Sequence, residues 1–303
     1  MIKDRAHFKA MLAAVSVYTI WGFTFLASRK AQDVTTPFVL LAYRFDLAFL
    51  LLSLPLVFGK AKLRLRGKKL LPVLLLGLCE PCIYFIGEQY GMRFSNTSFS
   101  GIMIAVIPIA ALILSAVFLK EKPTATQFAF SLLSIAGIIV ITLSQGSGGG
   151  IRFVGFLWLL LAVLSGSSYG VISRRISDEF TVYERTFVMQ LMGAVFFTVL
   201  ALAENHADLR LLILPLSNNG FILAVLYLAL GASVLGYLLF NYAVSHAPMA
   251  NVICLCNLTT VLSVFAGVIL LHEPFSLVSG VAVVVVLVGI CGVQLSGNNT
   301  DDQ

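Results

Sequence analysis

Hydrophobic residues run along nearly the whole chain in long segments that are separated by short polar joints. Each segment holds about 20 mainly apolar residues, enough for an α-helix to cross about 30 Å of hydrocarbon. Ten such segments, spans 1 to 10, can be placed at residues 9–29, 37–58, 69–91, 97–118, 123–143, 152–173, 181–203, 218–239, 248–270 and 274–295. The pattern therefore predicts an all-α, polytopic membrane protein with ten transmembrane helices.

The composition supports this prediction and excludes several other classes. Of the 303 residues, 59% are hydrophobic and 11% are charged, a balance outside the range of soluble domains. Little chain remains outside the spans, which excludes a soluble catalytic or nucleic-acid-binding domain. As partners we expect the lipid bilayer and a small-molecule substrate, with no nucleic acid and no cofactor, in a monomer or homodimer.

The net charge of +6 is explained by topology. If the N-terminus is cytoplasmic, 13 of the 20 basic residues fall on the cytoplasmic side, among them the cluster "KAKLRLRGKK" at 60–69. The positive-inside rule then predicts a multi-pass protein of the plasma (inner) membrane with both termini cytoplasmic. A basic run beside a span typically sets topology and contacts anionic lipid, so we prefer this interpretation of 60–69 to a nucleic-acid site.

A flexible glycine and serine segment, "SQGSGGG", divides the chain into two halves of five spans each. We predict a first repeat at 1–145, a linker at 146–151, a second repeat at 152–296 and a cytoplasmic tail at 297–303. An odd number of spans per repeat inserts the second copy upside down, and inverted repeats of this kind are typical of secondary transporters.

The two halves also resemble each other in sequence. "YGMRFSNTSFSGIM", from Tyr90, aligns with "YAVSHAPMANVI", from Tyr242, and Arg44 in "LAYRFDLAF" corresponds to Arg185 in "VYERTFVMQ". Glutamates in "FLKEKPT" and "LLHEPFS" follow the two tyrosines at the same distance and precede the last span of each half. This internal similarity supports the division into two repeats.

The ten-span plan, the duplicated half, the run "YGMRFSNTSFSGIMIAVIPI" and the paired "FLKE" and "LLHE" motifs resemble the EamA-domain family of the drug/metabolite transporter (DMT) superfamily. The resemblance implies ten helices around a central cavity lined mainly by spans 1, 3, 4, 6, 8 and 9, and export of small metabolites, often amino acids. The second half departs from the pattern because Thr260 stands where the first half has Pro108. The kink that the resemblance implies there is expected to be absent or made differently.

Span 3 contains the polar stretch "GLCEPCIYFIGEQY" at 77–90. Glu80 lies 11 residues past Lys69, which puts it about 16 Å along the span and near the midplane. A carboxyl in hydrocarbon is a functional candidate by default, so Glu80 is predicted to bind a proton, a cation or a substrate ammonium. The alternatives are a neutral, hydrogen-bonded structural carboxyl and an ion-pair partner of Arg44. Pro81 predicts a bend in the span at the same depth.

Tyr84 and Glu88 are also candidates for binding a substrate or a proton, because they fall on one broad face with Glu80: eight residues of helix separate the two carboxylates by about 80°. Arg44 lies nearer in depth to Glu88 than to Glu80, so we predict a structural Arg44–Glu88 ion pair that leaves Glu80 free. Asp46, Glu184 and Arg185 lie closer to span ends, where snorkelling or helix packing is the expected role.

Further binding candidates are aromatic and neutral hydrogen-bonding groups on the helices expected to line the cavity: Trp21, Tyr169, Tyr237 and Asn257. Such a wall suits a small zwitterion better than a phosphate, which would need several buried basic residues. The pair Cys79 and Cys82 could suggest zinc or redox chemistry, but its thiols are desolvated and lack a βαβ context, so we predict packing roles and no metal site.

Together these residues predict a secondary active transporter, an exporter of small metabolites such as amino acids that works by alternating access, with or without proton coupling. The alternative is a lipid-linked sugar flippase or an accessory membrane subunit. A polytopic membrane enzyme is disfavoured because the four histidines are scattered over the N-terminal arm and loops on both sides, and no set of catalytic groups converges.

Overall fold

A computed structural model describes residues 2–118, 124–146, 152–206, 208–247, 252, 255–273 and 275–298. Within these ranges the protein is helical and contains no strand. The α-helices are α1 (Ile2–Gly22), α2 (Thr24–Gln32), α3 (Pro37–Val57), α4 (Leu71–Gly77), α5 (Tyr84–Arg93), α6 (Thr97–Ile104), α7 (Ile107–Phe118), α8 (Ala125–Gly146), α9 (Phe153–Arg175), α10 (Val182–Glu204), α11 (Leu209–Ile213), α12 (Asn219–Leu226), α13 (Tyr237–His246), α14 (Asn257–Phe265) and α15 (Leu277–Asn298). Three π-helical segments (Leu78–Ile83, Tyr227–Gly236 and Ala266–Leu270) and one 3₁₀ turn (Leu214–Ser217) connect them.

Six helical segments are long and apolar enough to cross a membrane. They are Phe8–Gln32, Pro37–Val57, Leu71–Arg93, Phe153–Ser173, Val182–Glu204 and Asn219–His246. Four shorter apolar helical segments follow the same pattern: Thr97–Ala110, Ala125–Ile141, Asn257–Leu270 and Leu277–Val293. Large apolar side chains such as Leu223 and Leu277 are exposed on the bundle surface, as lipid contact requires. The all-helical membrane class is therefore confirmed, and the count of ten membrane-crossing helices stays a prediction.

The helices pack in pairs that join the two halves of the chain. α3 packs along α10, α8 along α15, α5 along α9, α1 along α13, and α6 along α14. In terms of the predicted spans, these pairs are 2 with 7, 5 with 10, 3 with 6, 1 with 8, and 4 with 9. The set is unchanged when every span is exchanged with the span five positions away, so the packing has the exchange symmetry that two equivalent repeats would give.

Opposite ends of the bundle are held by two different glutamates. At the end predicted to be outside, Glu273 accepts hydrogen bonds from the backbone nitrogens of Thr97 (2.7 Å) and Ser98 (3.0 Å) at the start of α6. At the other end, Glu184 accepts from Lys68 Nζ at 2.7 Å and from the Arg64 backbone nitrogen at 2.8 Å. Glu184 is buried and also forms a capping box with Thr181. It therefore ties the basic loop before α4 to the start of α10, where snorkelling or helix packing was expected.

Span 9 begins its described helix without a proline. In the first half, a turn at Ala105 and Val106 separates α6 from α7 and lies just before Pro108. In the second half, Leu255 and Cys256 form the corresponding turn, and α14 then runs through Thr260 without a break. The position that corresponds to Pro108 is therefore regular helix, and the described residues show no kink at Thr260. Residues 147–151 of the predicted linker and the glutamate in "FLKEKPT" lie outside the described residues.

Candidate functional site

Span 3 is broken at the residue that the sequence singles out. Glu80 has an extended backbone conformation (φ −141°, ψ 116°) within the π-helical segment Leu78–Ile83, and its peptide bond to Pro81 is cis. Proline lacks the N–H that a continuous helix would use. The hydroxyl of Ser165, on α9, donates to the Cys79 carbonyl at 2.7 Å. The interruption predicted at Pro81 is present, and a neighbouring helix satisfies a backbone carbonyl beside it.

Span 8 carries an equivalent irregularity. When the two halves are aligned so that Tyr90 matches Tyr242, the segment Leu78–Ile83 falls within the second π-helical segment, Tyr227–Gly236. π-helical insertions are rare and occur frequently at functional sites. Both halves therefore depart from regular helix at matching depths.

The two irregular spans are joined by a hydrogen bond between buried side chains. The Tyr237 hydroxyl, at the start of α13, donates to Glu80 Oε1 at 2.5 Å. Only 6% of Glu80 and 1% of Tyr237 are exposed. A carboxylate from the first half is thus held by a hydroxyl from the second half, in the middle of the bundle.

Aromatic rings surround this bond. The Tyr237 ring packs edge-on against Trp21 and Tyr169, with centroid distances of 5.6 and 6.1 Å. Phe240 contacts the rings of Trp21 and Tyr169 as well, and the Trp21 indole nitrogen donates to the Ala232 carbonyl at 3.2 Å. The structure therefore brings Trp21, Tyr169 and Tyr237 together around Glu80, at the meeting point of spans 1, 3, 6 and 8.

Glu88 belongs to a separate network on the same span. Tyr84 donates to one of its oxygens at 2.9 Å and Gln89 donates to the other at 2.8 Å. Gln89 in turn accepts from Gln32 at 2.8 Å and is 3.5 Å from the Ser28 hydroxyl. Both Glu88 oxygens are therefore paired with neutral donors. Gln32 and Gln89 were missed by the sequence analysis, although both are uncharged polar residues near span ends.

Arg44 does not form the predicted ion pair with Glu88 in this conformation. Among the described residues, the ion pair within 4 Å is Lys68–Glu184. Arg44 Nε donates to Ser233 Oγ at 2.8 Å, and its guanidinium lies over the Phe85 ring at 4.3 Å. The prediction rested on depth alone, which does not fix the direction in which each side chain turns about its helix axis.

Arg185, the counterpart of Arg44, is completely buried, where the sequence analysis expected snorkelling or helix packing. Its Nη1 donates to the Ser173 carbonyl at 2.8 Å and hydroxyl at 2.9 Å, and Nη2 donates to Ser245 Oγ at 2.6 Å. Asn241 links this network to the aromatic group, because it accepts from Ser173 at 2.8 Å and from Tyr169 at 3.3 Å. The network ties spans 6, 7 and 8 together.

The structure also locates Asn257 and the two cysteines of span 3. The Asn257 amide donates to Cys291 Sγ at 3.1 Å, so the structure directs it toward α15 and not to the group around Glu80. Cys79 and Cys82 are not bonded to each other. In the part of the chain that the structure describes, no three metal-ligating side chains come together.

Comparisons with known proteins identify the family. The model of the EamA-like transporter family matches residues 8–143 and again residues 153–295. The chain belongs to the EamA-like transporter family. Two curated relatives of this EamA-like chain cover nearly its whole length. The uncharacterized transporter YcxC of Bacillus subtilis (strain 168) is 31% identical over 95% of this chain and 93% of its own length. A probable terminal-alkyne amino-acid exporter of Streptantibioticus cattleyicolor is 26% identical over 96% of this chain and 94% of its own length.

A solved crystal structure shares the fold of this EamA-like protein. The TM-score is 0.68 at 18% identity, over 96% of this chain and 98% of that chain. The resemblance drawn from the sequence motifs is thus confirmed at the level of family and helical fold. The family and the relatives are named as transporters, which favours a carrier over an enzyme.

Proposed function

We propose that this EamA-like protein is a secondary active transporter that exports small metabolites such as amino acids across the plasma (inner) membrane by alternating access, with Glu80 as a site for a proton or a cation. The observation that carries the proposal is the buried hydrogen bond between Glu80 and Tyr237. The bond joins the two halves at the break in span 3. If Glu80 exchanges Tyr237 for another partner, the contact between the two halves changes.

The energetics of Glu80 favour a functional role. An ionised carboxylate at the centre of a bilayer costs at least about 2.5 kcal/mol even on the lenient insertion scale. Among the described residues, the hydrogen-bond donor to Glu80 is the neutral Tyr237 hydroxyl. A buried carboxyl with a single neutral donor has remaining acceptor capacity, so a proton, a cation or a substrate ammonium can bind it.

The helix pairs support alternating access. An inverted-repeat carrier opens to opposite sides by exchanging the conformations of its two repeats. The pairing of spans 2 with 7, 5 with 10, 3 with 6, 1 with 8 and 4 with 9 is unchanged by that exchange. Both conformations could therefore use the same helix partners with small rearrangements at the irregular spans 3 and 8.

The surroundings of Glu80 support a small and partly apolar substrate. Trp21, Tyr169, Tyr237 and Phe240 provide ring faces and edges, and Asn241 and Ser173 provide neutral hydrogen-bonding groups beside them. A relative that is 26% identical is named as a probable exporter of an amino acid. An amino acid presents an ammonium for Glu80 and a side chain for the rings.

Reconstitution into liposomes tests the proposal. Purified full-length protein is assayed for flux of labelled amino acids and other metabolites, with and without an imposed pH gradient. We expect saturable flux of at least one compound, accelerated by the gradient, and loss of the acceleration in Glu80→Gln. Glu204→Gln is the matched control, because Glu204 is exposed at the end of α10 and bonds to Thr36.

Two results would contradict the proposal in different ways. Saturable flux that is unaffected both by the gradient and by Glu80→Gln would remove the proton or cation site and leave transport standing. An absence of saturable flux for every compound, from protein that is folded and correctly inserted, would overturn transport itself.

A further inference from the structure

We propose that Arg44 binds the carboxylate of the transported molecule, so that the substrate is a zwitterion whose ammonium faces Glu80 and whose carboxylate faces Arg44. This inference rests on the proposed transport function. It deepens that function by assigning a second binding residue and by fixing the charge pattern of the substrate.

The first observation concerns the guanidinium of Arg44. The side chain is 2% exposed, and its Nε donates to Ser233 Oγ at 2.8 Å. Its Nη1 is buried without a hydrogen-bond partner among the residues that the structure describes. An unpaired N–H of a buried charged group is costly, so it is a strong donor for any anion that reaches it.

Arg185 shows that this bonding pattern is not general for a buried arginine of this bundle. Arg185 occupies the corresponding position of the second half and is equally buried. Its Nε lacks a partner, but both terminal nitrogens donate to oxygens of spans 6 and 8. Arg185 is held by the protein through the end of its guanidinium, whereas Arg44 is held through Nε and directs Nη1 to no protein acceptor in the described residues.

The second observation is a neighbouring acceptor that is also unpaired. Gln190, on α10, is fully buried, and its Nε2 donates to the Ser233 carbonyl at 3.2 Å. Its Oε1 has no partner among the described residues. Arg44 and Gln190 therefore meet at Ser233 with one unpaired donor and one unpaired acceptor. The donor suits a carboxylate, and the acceptor suits an N–H group of the same ligand.

The position of Ser233 connects this pair to Glu80. Ser233 precedes Tyr237 by four residues, or about 6 Å along a helix, and Tyr237 carries the hydrogen bond to Glu80. One small molecule can therefore contact the cation at Ser233 and the carboxylate beside Tyr237 at the same time. An α-amino acid has both required groups.

The competing explanation is that Arg44 only neutralises Glu80 and Glu88. In that case the site holds two carboxylates against one guanidinium, and the preferred substrate would be an amine without a carboxylate. The two explanations differ in what they predict for the decarboxylated form of the same molecule. Unpaired Nη1 favours the zwitterion, because an arginine that served only Glu80 or Glu88 would be expected to bond to one of them.

The experiment uses the wild-type protein in liposomes. Labelled proteinogenic amino acids are screened for flux, and each one that is carried is then competed with its unlabelled amine and its unlabelled methyl ester. We expect the amine and the ester to compete at least about tenfold more weakly than the amino acid, on the scale of a lost hydrogen bond to a charged group.

Equal competition by the amine, or flux of amines without flux of amino acids, overturns the carboxylate site and leaves the transport function intact. Saturable flux of other metabolites without flux of any amino acid overturns this inference and leaves transport standing, whereas an absence of saturable flux for every compound overturns both. Because the comparison needs no substitution, its result does not depend on a variant that folds poorly.

Two variants sharpen the result. Gln190→Glu places a carboxylate beside Arg44, and we expect it to raise the KM for the amino acid at least about tenfold while leaving competition by the amine unchanged. Arg185→Lys is the matched control from the other half: we expect lower thermal stability in detergent and an unchanged ratio of amino acid to amine competition. If Gln190→Glu is monodisperse and keeps the wild-type KM, Arg44 is not the carboxylate site.

Discussion

Replacing Tyr237 by phenylalanine removes the hydroxyl that joins spans 3 and 8 and keeps the ring. The ring contacts with Trp21 and Tyr169 have centroid distances of 5.6 and 6.1 Å and do not involve the hydroxyl. The loss is therefore confined to the hydrogen bond with Glu80. We expect Tyr237→Phe to fold, to be less stable in this conformation, and to transport more slowly.

The size of the effect follows from the environment of the bond. A hydrogen bond to a charged group contributes about 1.5–3 kcal/mol net, which corresponds to about 10- to 150-fold in an equilibrium constant. Both partners are buried, and no other described donor contacts the carboxylate. The full range therefore applies, and Glu80 in the variant should either retain a proton more tightly or favour another conformation of the carrier.

Counterflow in liposomes and thermal unfolding in detergent measure the two consequences. Tyr242→Phe is the matched control, because Tyr242 lies on the same helix and its ring stacks on His246 at 4.3 Å, away from Glu80. We expect at least about a tenfold loss of flux in Tyr237→Phe and wild-type flux in the control. Wild-type flux and wild-type thermal stability in Tyr237→Phe would refute the assignment of this bond to the transport mechanism.

Three other substitutions test the scaffold. Glu184→Gln removes the ion pair with Lys68, whose side chain is 22% exposed. Trypsin should then cut the basic loop at 60–69 faster in proteoliposomes. An unchanged cleavage rate would show that Glu184 does not hold this loop to α10. Gly87→Ala places a Cβ 2.6 Å from the Trp158 carbonyl oxygen, so thermal unfolding should show a stability loss of about 1–3 kcal/mol. Gly231→Ala is the control: the nearest atom to its new Cβ is 3.7 Å away, so its stability should be unchanged. Glu273→Gln weakens the cap on α6 and should lower thermal stability by about 0.5–2 kcal/mol; equal stability would show that the cap contributes little.

The membrane class and the break in span 3 followed directly from the sequence. Long apolar segments and short joints leave few alternatives to a helical membrane bundle, and Glu80 next to Pro81 marks a costly group beside a helix breaker. The residues that meet at the centre were harder to predict. Trp21, Tyr169 and Tyr237 could be named because they lie on the expected lining helices, but Asn257 satisfied the same criterion and faces α15.

The partners of the charged groups could not be predicted, for a physical reason. The ideal helix places Glu80, Tyr84 and Glu88 on one face, and depth alone pairs Arg44 with Glu88. The extended conformation of Glu80 breaks that regular geometry. Arg44 instead contacts Ser233, a small residue on span 8 with no charge to mark it. Hydrogen bonds between distant segments depend on how helices turn about their axes, and hydropathy does not encode that rotation for a helix that is apolar on most sides.

The two halves share their packing but not their chemistry. The offset that aligns the halves places Ala232 opposite Glu80 and Phe85 opposite Tyr237, so the carboxylate and the hydroxyl each occur once. A bundle with equivalent helix pairs can adopt two mirrored arrangements of similar packing energy. Under the proposed function, the hydrogen bond between Glu80 and Tyr237 is made in the described arrangement and has no counterpart between Ala232 and Phe85, so it would favour the described arrangement. Binding of a proton or an ammonium at Glu80 competes with that bond directly, which is how one site could bias an otherwise symmetric scaffold.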